Sequence, residues 1–178
     1  MIQTRHLALN YFLFLIATFI LCALQSTVWF QITAGAPPPM FWLPIVVYFS
    51  LFRKPIEAVL ACYGIGIVVA SFSAISIGVL WLVILCVSLS IQFFKTRVFW
   101  PSTRYFVFMT AFSALVFHLS IYSLSHLLER NPASANFFTR FFEVLQTPLW
   151  AAPLFWLFLS LDRISQRSPL PESVRGEE

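Results

Sequence analysis

Charge is what this chain has least of. Only 10% of its 178 residues are Asp, Glu, Lys or Arg, against roughly a quarter in an ordinary soluble domain. A hydrophobic fraction of 60% and a mean hydropathy of +0.85 complete the picture. A water-soluble fold of this length lacks the interior to hide so much apolar surface. Composition therefore excludes disorder, a nucleic-acid-binding domain and a water-soluble enzyme. Aspartate is the scarcest acid: none occurs before Asp162, so an intramembrane aspartate pair cannot be assembled. Cysteine is scarce too. Cys22, Cys62 and Cys86 fall in apolar runs without Cys-x-x-Cys spacing, which suits small packing residues better than a disulfide or metal site. There is no His-Glu-x-x-His, no Gly-x-Ser-x-Gly elbow, no Walker motif and no dinucleotide fingerprint. The expectation is a protein that is not an enzyme and carries no cofactor and no metal.

What the chain has instead is long apolar runs, including 21 Phe. Lipid admits only helices and closed barrels, because each backbone polar group must be paired internally. Continuous runs without a polar–apolar alternation argue against a barrel. The gaps between charges then map the segments. Residues 7–52, 58–94, 105–128 and 144–161 carry no Asp, Glu, Lys or Arg. A span needs about 20 residues, so the first gap holds two, near 7–30 and 40–52, separated by the turn Gly35-Ala36-Pro37-Pro38-Pro39. The gap 58–94 has basic residues at both ends, Arg53 and Lys54 before it and Lys95, Arg97 and Arg104 after. Lys and Arg favour the cytoplasmic side, so this stretch must go out and back. With a break at 71–76 each limb has about 16 residues, roughly 24 Å long, short of the roughly 30 Å hydrocarbon core. Two short helices and a re-entrant hairpin both satisfy this. The fold class expected is an all-α integral membrane protein of six transmembrane segments, forming one domain over 1–161.

With the N-terminus inside, Arg5, Arg53, Lys54, Lys95, Arg97, Arg104, Arg163, Arg167 and Arg175 are cytoplasmic, and only Arg130 and Arg140 are outside. The pI of 9.3 thus reflects topology and contact with anionic lipid headgroups, with no nucleic-acid partner. The first apolar run is too long for a cleaved signal peptide and lacks an Ala-x-Ala site, so it reads as a retained anchor. Outside the bilayer, Asn131-Pro132 suggests a turn. Phe137, Phe138, Phe141 and Phe142 share one helical face, as in a short interfacial helix. The polar residues 162–178, with Pro169 and Pro171, read as a disordered cytoplasmic tail. Glu57 lies within one turn of Arg53 and suggests a surface pair.

Three constellations stand out. Small residues recur at every fourth position, Ala58, Cys62, Gly66, Ala70, Ala74 and Gly78, with Gly64 beside them. Such spacing lets backbones approach closely, either for packing inside the bundle or for docking a partner's transmembrane helix. The face drifts, so Ala58, Cys62, Gly66 and Ala70 form the coherent patch. Next, His118, Tyr122 and His126 make a polar stripe with Glu129 further on. Two histidines about two turns apart, roughly 12 Å, are too far for one metal ion, so a polar pocket wall or interhelical hydrogen bonds fit better. Last, Pro44, Pro148 and Pro153 fall inside apolar segments, where each can kink a helix.

The order of features resembles the MreD family of bacterial rod shape-determining membrane proteins over about residues 7–165. The carrying segments are Leu24-Gln25 with Trp29, the stretch from Pro39 to Arg53, the run Gly64 to Gly78, and Leu145 to Arg163 with Trp150 and Pro153. Two positions depart from the family pattern: Ala70 stands where the family has Asp, and Ala74 at a common Gly position. The resemblance implies a fold similar to the substrate-binding subunits of energy-coupling-factor transporters. It also implies a multi-pass place in the bacterial inner membrane with both termini cytoplasmic. The implied partners are an MreC-like single-span protein and, directly or indirectly, RodA, a penicillin-binding transpeptidase and MreB. The function implied is a scaffold of the cell-elongation, peptidoglycan-synthesis machinery. A vitamin-like small-molecule-binding transport subunit, its pocket lined by His118, Tyr122 and the 71–76 break, is the alternative.

Overall fold

A computed structural model describes residues 2–33, 36–98, 100, 102–128 and 136–167. Among these the protein is all-helical, with no strand. The elements are α1 (Ile2–Ala23), a π-helical turn (Leu24–Val28), α2 (Trp29–Thr33), α3 (Leu43–Phe52), α4 (Pro55–Ala70), α5 (Ile77–Lys95), α6 (Thr103–Leu128) and α7 (Phe137–Ile164). Four helical stretches are long and apolar enough to cross a membrane: His6–Thr33, Ile77–Lys95, Thr103–Leu128 and Phe137–Ile164. Two apolar helices are shorter, Leu43–Phe52 and Pro55–Ala70.

The shortest helix occupies the centre. All ten residues of α3 are buried, and it packs against α4, α5, α6 and α7. Its brevity follows from the prolines around it. Pro37, Pro38 and Pro39 lack the N–H groups a helix needs. Pro55 pushes the preceding Lys54 to an extended backbone (φ −65°, ψ 149°), which ends the path of α3 and starts α4. Pro44 sits in the first turn of α3, where the missing N–H has no partner to lose. It begins that helix instead of kinking it. Pro148 and Pro153 lie inside α7, so the carbonyls of Val144 and Leu149 lose their helical donors.

Phenylalanine builds much of the core. Phe14 of α1 meets Phe49 edge-on with ring centres 4.9 Å apart, and stacks on Tyr48 at 5.6 Å. Phe106 of α6 meets Phe155 of α7 at 4.9 Å. Two helices approach closely at Gly66. A Cβ added to Gly66 would lie 2.6 Å from Trp81 Nε1, so the indole of α5 occupies the space that glycine leaves.

The 58–94 stretch does form two helices joined by 71–76, but they are unequal. α4 has 16 residues and α5 has 19, so α5 is long enough to cross. The separate interfacial helix is not seen. Phe137 to Ile164 is one continuous helix of 28 residues, about 42 Å long. Phe137, Phe138, Phe141 and Phe142 are exposed on its first turns. α7 also runs beyond 161, carrying Asp162 into the core. Asn131, Pro132 and residues 168–178 lie outside the described residues.

Candidate functional site

Two carboxylates of α7, about 28 Å apart along that helix, organise the polar groups. The first is Asp162, the single aspartate of the chain, and it is fully buried. Its Oδ1 accepts hydrogen bonds from Asn10 Nδ2 at 2.8 Å and Arg53 Nη2 at 2.5 Å. Its Oδ2 accepts from Tyr48 at 2.5 Å. Asn10 also donates to Ser165 Oγ at 2.7 Å. One side chain thus joins α1, the end of α3 and the end of α7. A charge in an apolar interior is tolerated only when its acceptors are filled, and both oxygens are filled here.

The helix end around Asp162 is itself shaped for this role. Gln166 adopts φ 55°, and Arg167 N donates to Asp162 O at 2.9 Å while Gln166 N donates to Arg163 O at 3.1 Å. This is a Schellman closure. It turns Arg167 back towards α4, where its Nη2 reaches both oxygens of Glu57 at 3.0 and 3.2 Å. The expected Arg53–Glu57 pair is therefore replaced by two others: Arg53 turns inward to Asp162, and Glu57 pairs with Arg167. Lys95 Nζ donates to Arg53 O at 3.1 Å, putting a cation at the C-terminal end of α3.

The second carboxylate is Glu143, near the start of α7. Its Oε2 lies 3.2 Å from Arg140 Nη1 and 3.3 Å from His118 Nε2. The histidine approach lacks hydrogen-bond alignment, and both His118 ring nitrogens are buried without a hydrogen-bond partner. Arg140 and Glu143 border a cavity of about 260 Å³. Its other walls come from the π-helical turn (Gln25, Ser26), the segment before α3 (Met40, Trp42), the 71–76 link and Phe117 of α6. Gln25 Oε1 is buried there without a hydrogen-bond partner. Thr147 anchors this end: it accepts from Met40 N at 3.0 Å and donates to Glu143 O at 2.6 Å.

The residues singled out in the sequence separate under this geometry. Ala58, Cys62 and Gly66 are buried inside the bundle, so that part of the ladder packs within the chain and is closed to an outside helix. Ala70 is partly buried against the core. Gly64 faces α1, where an added Cβ would lie 3.2 Å from the Leu15 side chain. Gly78 has nothing within 4 Å of such a Cβ and takes no part in a close approach. The polar stripe divides as well. His118 turns to Glu143, whereas Tyr122 and His126 are exposed and pair with each other, ring centres 4.2 Å apart, with His126 Nδ1 2.9 Å from Tyr122 O. The 71–76 break does line the cavity, through Phe72, Ser73 and Ile75, but His118 and Tyr122 are not among its wall residues. No group of three or more His, Cys, Asp or Glu able to hold a metal ion occurs among the described residues.

Sequence reasoning passed over Asp162, Arg53, Tyr48 and Asn10. A signal was present: Asn10 interrupts an apolar run, and Arg53 and Asp162 each close one. Neither the chain nor its fold finds a match among protein-family models, curated proteins or solved structures.

Proposed function

We propose that this protein is a non-enzymatic membrane scaffold that docks the transmembrane helix of a single-span partner. In this reading the six apolar helical segments together form the membrane domain, in the manner of energy-coupling-factor substrate-binding subunits. Both termini are cytoplasmic, in a bacterial inner membrane. The MreD resemblance supplies the setting: the cell-elongation machinery, with an MreC-like protein as partner and RodA, a penicillin-binding transpeptidase and MreB nearby.

The observation that supports the reading is a stripe on α4. Ile56, Leu60, Tyr63 and Ile67 are 76, 63, 50 and 53% exposed. They follow one another at spacings of four, three and four, the seam of a helix pair. They lie on a helix of 16 residues, shorter than a bilayer core, and the rest of its surface is packed against α1, α3 and α5. The docking face is thus this stripe, and the small-residue ladder behind it holds α4 in place.

A photo-crosslinking amino acid at Leu60 or Tyr63, with a co-expressed MreC-like single-span protein, tests this. A crosslink at these positions and none at Leu149, which is equally apolar and 72% exposed on α7, is the expected result. Equal crosslinking at all three, or none, contradicts it. The transport-subunit alternative draws on the cavity beside Glu143. A stoichiometric vitamin-like ligand on the purified protein would favour it.

A further inference from the structure

We infer that the link between α5 and α6, residues 96–102, is a docking surface for anionic phospholipid headgroups. This stands apart from partner docking and rests only on α5 and α6 crossing the membrane. Of the basic residues at this end of the bundle, the structure singles out two. Arg97 opens the link and Arg104 follows it in the first turn of α6, and both are exposed. Three acids lie among the described residues, and each already holds an arginine. Asp162 takes Arg53, Glu57 takes Arg167 and Glu143 takes Arg140. No acid among the described residues is left for Arg97 or Arg104. The Arg97 guanidinium lies over the Phe93 ring, 5.7 Å from its centre, which steadies the cation without neutralising it.

The depth of the link follows from the two helices it joins. α5 has 19 residues, about 28 Å, close to the roughly 30 Å of the hydrocarbon core. A helix that only just crosses has its ends at the edges of that core. α6 sets off again at Thr103 and is also long and apolar enough to cross. A short link between two consecutive crossing helices lies at a membrane surface, whichever side that is. The exposed apolar side chains suit this depth. Phe93, Val98 and Trp100 are 61, 61 and 71% exposed. Tryptophan favours the headgroup layer, and cations set among apolar side chains mark surfaces that lie in it. The link is also held in shape. The Tyr105 hydroxyl donates to Val98 O at 2.5 Å, and Ser102 Oγ caps α6 by accepting from Tyr105 N at 3.2 Å. An anionic head supplies the negative charge that both guanidiniums lack. A choline head carries its own cation beside its phosphate, which the arginines repel. An exposed tryptophan at this depth favours a lipid head over an acidic protein segment.

The full chain in nanodiscs of equal parts phosphatidylglycerol and phosphatidylcholine provides the test. Native mass spectrometry of the released protein reads which lipids stay bound. The expected result is an excess of phosphatidylglycerol on the wild type. Arg97→Gln and Arg104→Gln should each lower the ratio of retained phosphatidylglycerol to phosphatidylcholine by about fivefold, the weight of one surface cation. Both variants should unfold at the wild-type temperature in phosphatidylcholine discs. If one does not, the other decides. Arg163→Gln removes an exposed cation at the same end of the bundle but outside the link, and should change the ratio less than about twofold. Equal retention of the two lipids, a ratio unchanged in the link variants, or an equal fall in Arg163→Gln overturns the proposal. So does an acidic polypeptide that is retained in place of lipid and released by the link variants. A chain that fails to insert into any disc overturns the membrane reading as well, whereas insertion without a lipid preference overturns the link alone.

Discussion

The two carboxylates of α7 have the same kind of partner and opposite surroundings. Asp162 is closed. Its acceptors are filled from three directions, by Asn10 of α1, Tyr48 of α3 and Arg53 just beyond α3, and no surface is left to water. Glu143 is open. Its arginine comes from one turn earlier on the same helix, and its other side borders a cavity. Partners drawn onto both oxygens of Asp162 from distant segments fix where α1, α3 and α7 stand, although Asn10 Oδ1 beside them has no hydrogen-bond partner. Glu143 has one aligned partner, Arg140 on its own helix, and the unaligned His118 of α6 beside it, so it ties fewer segments together. The contrast assigns the larger architectural role to Asp162.

The largest effect should come from breaking the closed cluster on one side only. Asp162→Ala leaves Arg53 buried beside Asn10 and Tyr48 without its anion, which costs about 3–5 kcal/mol. Reversible unfolding in detergent should register this as a large loss. The double variant Arg53→Met, Asp162→Leu should recover much of it, because no buried charge then remains. Additive losses would mean that the two residues act separately.

A second contrast, between filled and empty space at glycine, should be smaller. Gly66→Leu pushes against the Trp81 indole and should cost about 1–3 kcal/mol. At Gly78 an added Cβ meets nothing within 4 Å, so Gly78→Ala should stay within about 0.5 kcal/mol of wild type. The same unfolding assay separates them, and equal losses would break the assignment. Because Gly66 packs internally, its replacement reports on the fold and not on partner docking. The smallest effect is a gain. Gln166 holds φ 55°, a conformation that penalises side chains by roughly 1–2 kcal/mol. Gln166→Gly should raise the midpoint of unfolding slightly, and a fall would mean that the Gln166 side chain contributes something the backbone alone does not show.

How far the sequence carried depends on which force was read. Burial in lipid is a property of composition and run length, so the helical class, the apolar segments and the break at 71–76 were all legible. Close packing at Gly66 was legible from spacing. The polar centre was not. Asp162 follows an apolar run and precedes a polar tail, so local reading places it in the tail. Only the Schellman turn at Ser165–Gln166 and the folding of α7 against α1 and α3 bring it inside. Arg53 likewise has a nearby acid in Glu57, and one-turn spacing suggests that pair. Tertiary packing sends each to a partner more than a hundred residues away. The interfacial helix failed for a related reason: Glu143 breaks the run of neutral residues, but a charge that is paired with Arg140 does not end a helix.

The most direct measurement compares two near-isosteric substitutions that each remove one carboxylate charge from the same helix, Asp162→Asn and Glu143→Gln, by equilibrium unfolding in a phosphatidylcholine nanodisc. The expected result is a loss of about 3 kcal/mol or more for Asp162→Asn and less than about 1 kcal/mol for Glu143→Gln. Equal losses, or the larger loss at Glu143, would contradict it.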